Sequence, residues 1–285
     1  MDPRADARRR TGCRLTGPAD ATAVHSLLPS DAAPAPPVSG WTGTELSVRL
    51  RRGAGGSVRV DGVLCSAPVW FRWDGATLWL VGSGASPVGE DRVRVTVDVG
   101  AGLDVAVRSV AATVVYAARG DGTRWETHLR VAEGARVDWR PEPVILTRRA
   151  RHDARTTVDA AAGAHVTLDD VLVLGRADEE HGSLRSTLDV QVEGERVLLT
   201  SIDTSVPGWA GPAGTDGART VANRLVVGPR DDRLGPDRPT CSTPEAAGTV
   251  LEPADPCRLG VAVASSVDAA RGALDALLPR PDDRT

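Results

Sequence analysis

Carboxylates are the side chains of this sequence with the most chemistry to offer. Asp138 and Glu142 flank Trp139, and Asp169, Asp170, Glu179 and Glu180 follow downstream. Two carboxylates held at a fixed separation are the machinery of acid–base glycoside cleavage. The same oxygens, left exchangeable, form a path of weak ligands for a divalent cation. They are also what turn ends carry simply in order to be solvated. Spacing alone leaves all three readings open.

Other chemistries are excluded more firmly. VGSGAS (81–86) is rich in glycine and serine, but it runs on into SPVGED and not into a helix. A phosphate cradle needs a helix N-terminus and usually a lysine, and every one of the 34 basic residues is arginine. No HExxH and no nucleophile elbow with triad partners occurs. The 5 His are scattered: His128 and His165 fall on alternating strand positions, and His128 and His152 in neighbouring repeats. The 4 Cys form no CxxC pair, which argues against zinc, and Cys241 and Cys257 are the two positioned to meet if the loop between them folds back. A formal net charge of -4 gives no global basic field for nucleic acid, the Arg8–Arg10 triplet being a local exception. No apolar core of a secretory signal and no membrane-length apolar run is present, so the expected compartment is the cytoplasm.

The elements that must position these carboxylates are strands. The chain is 41% hydrophobic but only 3% aromatic, so its core is built from Val, Leu and Ala. LSVRLRR from Leu46 alternates apolar and polar residues, as a half-buried strand does. Asp61-Gly62 and Asp74-Gly75 read as hairpin turns. Three segments then share one pattern: VDVGAGLDVAV (97–107), LRVAEGARVDW (129–139) and VDAAAGAHVTL (158–168). Each alternates, turns on a glycine between small residues (Gly102, Gly134, Gly163) and alternates again. LDVQVEGERVLL, with Gly194, is a weaker fourth copy. A period of about 30 residues marks stacked repeats, because one such unit cannot cover its own apolar face and edges. The expected fold is all-β: stacked antiparallel or solenoid-like layers of strand–turn–strand repeats, closed by a short C-terminal helix. In that helix Ser265 or Ser266 is the cap, Asp268 favours the N-terminal end, Val267, Ala270, Leu274, Leu277 and Leu278 form one face, and Pro279 is the stop. Residues 1–40 read as a disordered Pro/Ala/Arg-rich tail, 41–279 as one β domain and 280–285 as a frayed end. Pro141 and Pro143 read as the end of a strand, blocking pairing at an edge.

The order of local motifs is more specific than any one of them. Gly134-Ala135 through Pro143, Thr157–Ala164, Val171–Arg176, Glu179-Glu180 and Gly182–Val190 resemble, in sequence, the central region of the UreD (also called UreH) urease accessory proteins. Upstream, Val88–Arg92 and Ala111–Thr113 resemble that family's glycine-rich stretch and Ala-Ala-Thr strand. Here Glu90 replaces a glycine, and Val114-Val115-Tyr116 stands where Lys-Phe-Tyr is typical. The resemblance spans roughly residues 45–230.

The resemblance implies an all-β accessory factor and not an enzyme. Such a factor binds the urease apoprotein together with UreF and the GTPase UreG, to which the GTP belongs. It delivers nickel in transit to the urease active site and holds no tightly bound cofactor. It also implies a water-filled internal passage, for which Asp138, Glu142, Asp170 and Glu179 are the candidates, with Arg176 and Arg185 as supporting arginines. The alternative is a stacked-β carbohydrate-active or carbohydrate-binding protein using Asp138 and Glu142.

Overall fold

The computed structural model describes residues 33–34, 41–229 and 240–280. The rest of the expected N-terminal tail, the Pro/Gly loop at 230–239 and residues 281–285 lie outside them. Clustered by proximity, the chain divides at Asp31/Ala32, and every described residue belongs to the second unit.

After β1 (Ala33–Pro34), β2 (Thr44–Arg52) and β3 (Val58–Cys65) form an antiparallel pair that turns at Gly53–Ser57, with β1 parallel to β3. Asp61-Gly62, expected as a turn, lies inside β3, where the register against β2 slips between Arg49 and Leu50. The pair absorbs the flexible dipeptide as a bulge because the preceding glycine-rich segment has already reversed the chain. Asp74-Gly75 does turn a hairpin, between β4 (Val69–Trp73) and β5 (Thr77–Gly82). The Asp74 carboxylate accepts from the Thr77 and Ala76 N–H groups at 2.8 and 3.1 Å.

The repeats then begin: β6 (Arg92–Val99), β7 (Asp104–Ser109) and β8 (Thr113–Val115); β9 (Thr123–Val131), β10 (Arg136–Arg140) and β11 (Val144–Leu146); β12 (Arg151–Ala160) and β13 (His165–Leu174). In each, the glycine turn carries the chain from one sheet to the other. Gly102, Gly134 and Gly163 have φ of 63, 64 and 66°. A Cβ on Gly134 would meet no atom within 4 Å, so the left-handed backbone, and not space, requires glycine there. Because the two strands of a unit go to different sheets, successive units stack in the same direction. β6, β9, β12 and then β14 (Ser183–Val192) are parallel neighbours, as are β7, β10 and β13. The layers are thus solenoid-like and parallel through the repeats, with antiparallel pairing at the margins.

Gly194 departs from the other three. Glu193 (φ 53°) and Gly194 (φ 82°) make a two-residue hairpin between β14 and β15 (Glu195–Asp203), which stay in one sheet. The prolines also differ from expectation. Pro141 and Pro143 lie between β10 and β11, and β10 is paired on both sides, so no edge is there to block. They turn the corner between two strands instead, and the Pro143 carbonyl accepts from Thr113 N–H at 2.9 Å.

The chain finishes with β16 (Thr220–Val227), β17 (Thr240–Ser242), β18 (Ala246–Ala254), β19 (Cys257–Ala264) and α1 (Val267–Leu277). The first sheet runs β1-β3-β2-β6-β9-β12-β14-β15. The second runs β17-β18-β19-β16-β13-β10-β7-β5-β4. Inward residues of the first sheet (Val95, Val97, Leu129, Val158, Val190) and of the second (Val105, Val107, Val137, Val166, Leu168) are all buried. Each contributes about 1.5–3 kcal/mol by leaving water. α1 covers the outer face of the second sheet, setting Ala270, Ala273 and Leu274 against Val171, Ala222 and Ala262. Ser266 is its cap, its hydroxyl accepting from Ala269 N–H at 3.2 Å. Arg280, placed by the sequence reading in the frayed end, is buried. Cys65, Cys241 and Cys257 are free thiols.

Candidate functional site in the interior between the sheets

Strand alternation decides where each carboxylate points. On β13, Val166 and Leu168 face inward, so Asp170 also faces the interior while Asp169 faces out beneath α1. Asp169 is met at once by cations. Arg224, directly opposite on β16, reaches its two oxygens at 2.7 and 3.0 Å, and Arg280 pairs with it as well. Arg224 is 0% exposed and also holds Asp275 at 2.7 Å and the Leu278 carbonyl at 2.8 Å. This buried network fastens the end of α1 to the sheet.

Asp170 has no such partner. Its one hydrogen bond comes from the Ser186 hydroxyl on β14, across the interior, at 3.2 Å. Burial pushes its carboxyl up to about 6, against the lowering effect of Ser186 and with a further push from the Asp169 charge. Two cavities adjoin at this residue. One, of about 290 Å³, is walled by Leu80, Trp125, Trp139 and Val144 and opens past Val110 and Tyr116. The other, of about 230 Å³, is walled by Ser186, Thr200, Ser201, Asn223 and Val261 and reaches Leu251. Thr156, Leu168 and Asp170 belong to both walls. Val110, Tyr116 and Leu251 are 56, 39 and 44% exposed, so the wall of each cavity includes residues that also reach the surface.

The remaining candidates are dispersed. Glu142 is exposed on the wall of the larger cavity, paired with Arg271 of α1 at 3.3 Å. Asp138 faces outward from the second sheet and is held by Arg108 and Arg280. Of the two, Glu142 lines the larger cavity, while both oxygens of Asp138 are taken by guanidiniums, so they do not form a free carboxylate pair. Glu179 sits in the loop after β13. Arg176 bonds it at 2.8 and 3.1 Å, which holds its carboxyl down at about 2. Arg185 supports Asp203 at 2.8 Å and none of the four candidates. Its strand position pairs with β15, the hairpin partner that the sequence reading took for another repeat. His128 and His152 do not meet. His152 is buried against Thr123 Oγ1 at 2.7 Å, and burial lowers its imidazole to about 4. His128 approaches Glu126 at 3.5 Å on the outer face of the first sheet.

Ser186, Thr156 and Asn223 escaped the sequence reading, since single polar residues in apolar strands carry no motif. Asp169 and Arg224 left a better trace. An arginine inside TVANRLVV and adjacent aspartates inside HVTLDDVLVL are each costly in a buried strand unless paired.

No helix among the described residues is long and apolar enough to cross a membrane. Residues 45–279 match the family model described as UreD urease accessory protein. A urease accessory protein UreD from Frankia alni is 33% identical over 253 residues, covering 72% of this chain and 84% of the relative. One from Streptomyces coelicolor is 33% identical over 241 residues, covering 83% and 87%. A third, urease accessory protein UreD 2 of Saccharopolyspora erythraea, is 34% identical over 215 residues, covering 72% and 75%. With a family model matching over most of its length and relatives matched over three quarters or more of theirs, this chain belongs to the UreD urease accessory protein family.

Proposed function

We propose that this protein acts in the cytoplasm as a non-catalytic maturation factor. It binds the urease apoprotein together with UreF and UreG, and the space between its sheets passes nickel toward the urease active site. The observation that supports this reading is the pair of cavities that adjoin at Asp170, a carboxylate without a guanidinium partner.

A conduit and a storage site make opposite demands. Storage wants several tight ligands at fixed geometry. Transit wants oxygen ligands of modest strength that exchange. The hydroxyls and amide around Asp170 (Thr156, Ser186, Thr200, Ser201, Asn223) are of the second kind. At neutral pH a carboxyl with a pKa near 6 is mostly ionised, and an arriving dication favours that form further. Glu142, on the wall of the larger cavity, is the secondary position in this reading, while Asp138 and Glu179 are held by arginines. GTP chemistry belongs to the UreG partner.

The test is urease activation in cells that supply the cognate components, comparing the wild-type chain with Asp170→Leu. Activation is expected to fall at least about tenfold, the usual scale for losing a group that tunes a metal path, while the assembled complex is recovered in normal amount. Normal activation by Asp170→Leu would refute the passage.

A further inference from the structure

Among the described residues, α1 covers one half of the outer face of the second sheet and nothing covers the other, and the covered half shows what the other lacks. Across β4, β5, β7 and β10, Arg72 stands opposite Trp79, Trp79 opposite Arg108, and Arg108 opposite Arg140. All four point outward, since Leu78, Val107, Val137 and Trp139 fill the inward positions between them. Farther along the same face, Arg224 is opposite Asp169. There the row is capped by the last turn of α1, which brings Asp275 and the Leu278 carbonyl onto Arg224. A helix C-terminus with an acidic side chain is what guanidiniums on this face take as a cover.

Among the described residues, no helix lies over Arg72 and Arg140. Arg72 is exposed and Arg140 half-buried, and among the described residues neither forms an ion pair. The acids nearby are engaged or offset. Asp138 is held by Arg108 and Arg280, Asp74 accepts from the Trp79 indole at 2.8 Å and feels the Arg72 charge only at longer range, and Asp104 lies opposite Arg136. Beside them Trp70 and Trp79 are tethered by their indole N–H groups, which donate to Ser83 at 2.6 Å and to Asp74. Trp and Arg together are the residues that dominate protein–protein binding energy.

We propose that Trp70, Arg72, Trp79 and Arg140 form a docking surface for an acidic helical segment of a protein partner, laid across the strands as α1 is. The maturation reading supplies the proteins to test, and the surface itself does not depend on the passage. Purified urease apoprotein, UreF and UreG would each be titrated against the immobilised full chain, as wild type, Arg72→Glu/Arg140→Glu and Arg72→Gln/Arg140→Gln. Arg124→Glu/Arg185→Glu, on the outer face of the other sheet, is the control. One component is expected to lose at least about tenfold in affinity on charge reversal and less on neutralisation. The loss should shrink as salt rises, with thermal unfolding unchanged. Wild-type affinity of the reversal variant for every component would overturn the proposal. So would an equal loss in the control, or equally Arg-dependent binding of a fluorescent DNA duplex. If the wild type binds none of the three proteins, the maturation reading fails and the proposal with it.

Discussion

Asp169 and Asp170 are neighbours in sequence and opposites in structure. Strand alternation sends one outward into a buried guanidinium network and the other inward to a single hydroxyl between two cavities. The outward carboxylate has nothing left to offer a ligand, because its charge is spent on holding α1 in place. The inward one has its pKa raised by burial and keeps lone pairs without hydrogen bonds beside the two cavities. A fully paired carboxylate is architecture, and an under-paired one is available for chemistry. The same distinction sorts Asp138 and Glu179, both arginine-bound, from Glu142, whose one ion pair is longer.

The sharpest way to break this contrast is on the outward side. Arg224→Ala should cost about 3–5 kcal/mol, because it leaves buried Asp169 to Arg280 alone and takes the guanidinium from Asp275 and the Leu278 carbonyl. Urea unfolding measures it, and a loss under 1 kcal/mol would mean that the network is not what holds the helix. The inward side has the opposite signature. The folded-state pKa of Asp170 lies above its usual value of 3.8, at about 6, so the folded protein binds the extra proton. Stability must therefore fall as pH rises between those two values. Relative to Asp170→Asn, the wild type should lose roughly 2–3 kcal/mol between pH 4 and pH 7. A difference that stays flat with pH would contradict the burial of Asp170. Smaller again is the turn that delivers both strands. Gly134→Ala should cost about 1–2 kcal/mol through its left-handed backbone, and Gly194→Ala a similar amount despite its different turn. Smallest is Glu142→Ala, which removes an exposed pair with Arg271 and should change stability by less than about 1 kcal/mol.

Much of the fold was legible because period-2 alternation and period-30 glycines are both direct consequences of what one strand–turn–strand unit can bury. The spacing of Gly102, Gly134 and Gly163 fixed a stack, but it did not state whether each turn joins two sheets or folds back within one. Gly194 shows that the same local pattern serves both, the choice resting on what neighbours pack against β15. Asp61-Gly62 failed as a hairpin for a similar reason: its turn chemistry was overruled by the glycine-rich segment before it. The helix was readable to its cap, since Ser266, Asp268 and Pro279 act locally.

The site was legible only in part. Asp170 was among the candidates, and the alternation of HVTLDDVLVL already separates it from Asp169. Asp138 and Glu142 look like a pair in sequence because they bracket one tryptophan. In the structure each has its own partners: Asp138 is held by Arg108 and Arg280, and Glu142, past the corner at Pro141, lines the larger cavity and pairs with Arg271. Partners such as Arg280 with Asp138, or Ser186 with Asp170, lie on different strands or beyond the helix, and no local pattern encodes them.

The most direct measurement is nickel incorporation per urease active site in a reconstituted system with UreF and UreG, run with wild-type protein, Asp170→Asn and Glu142→Ala. A nickel passage at Asp170 requires normal assembly for all three, a rate at least about tenfold lower for Asp170→Asn and a smaller loss for Glu142→Ala. Equal rates for the wild type and Asp170→Asn would contradict it.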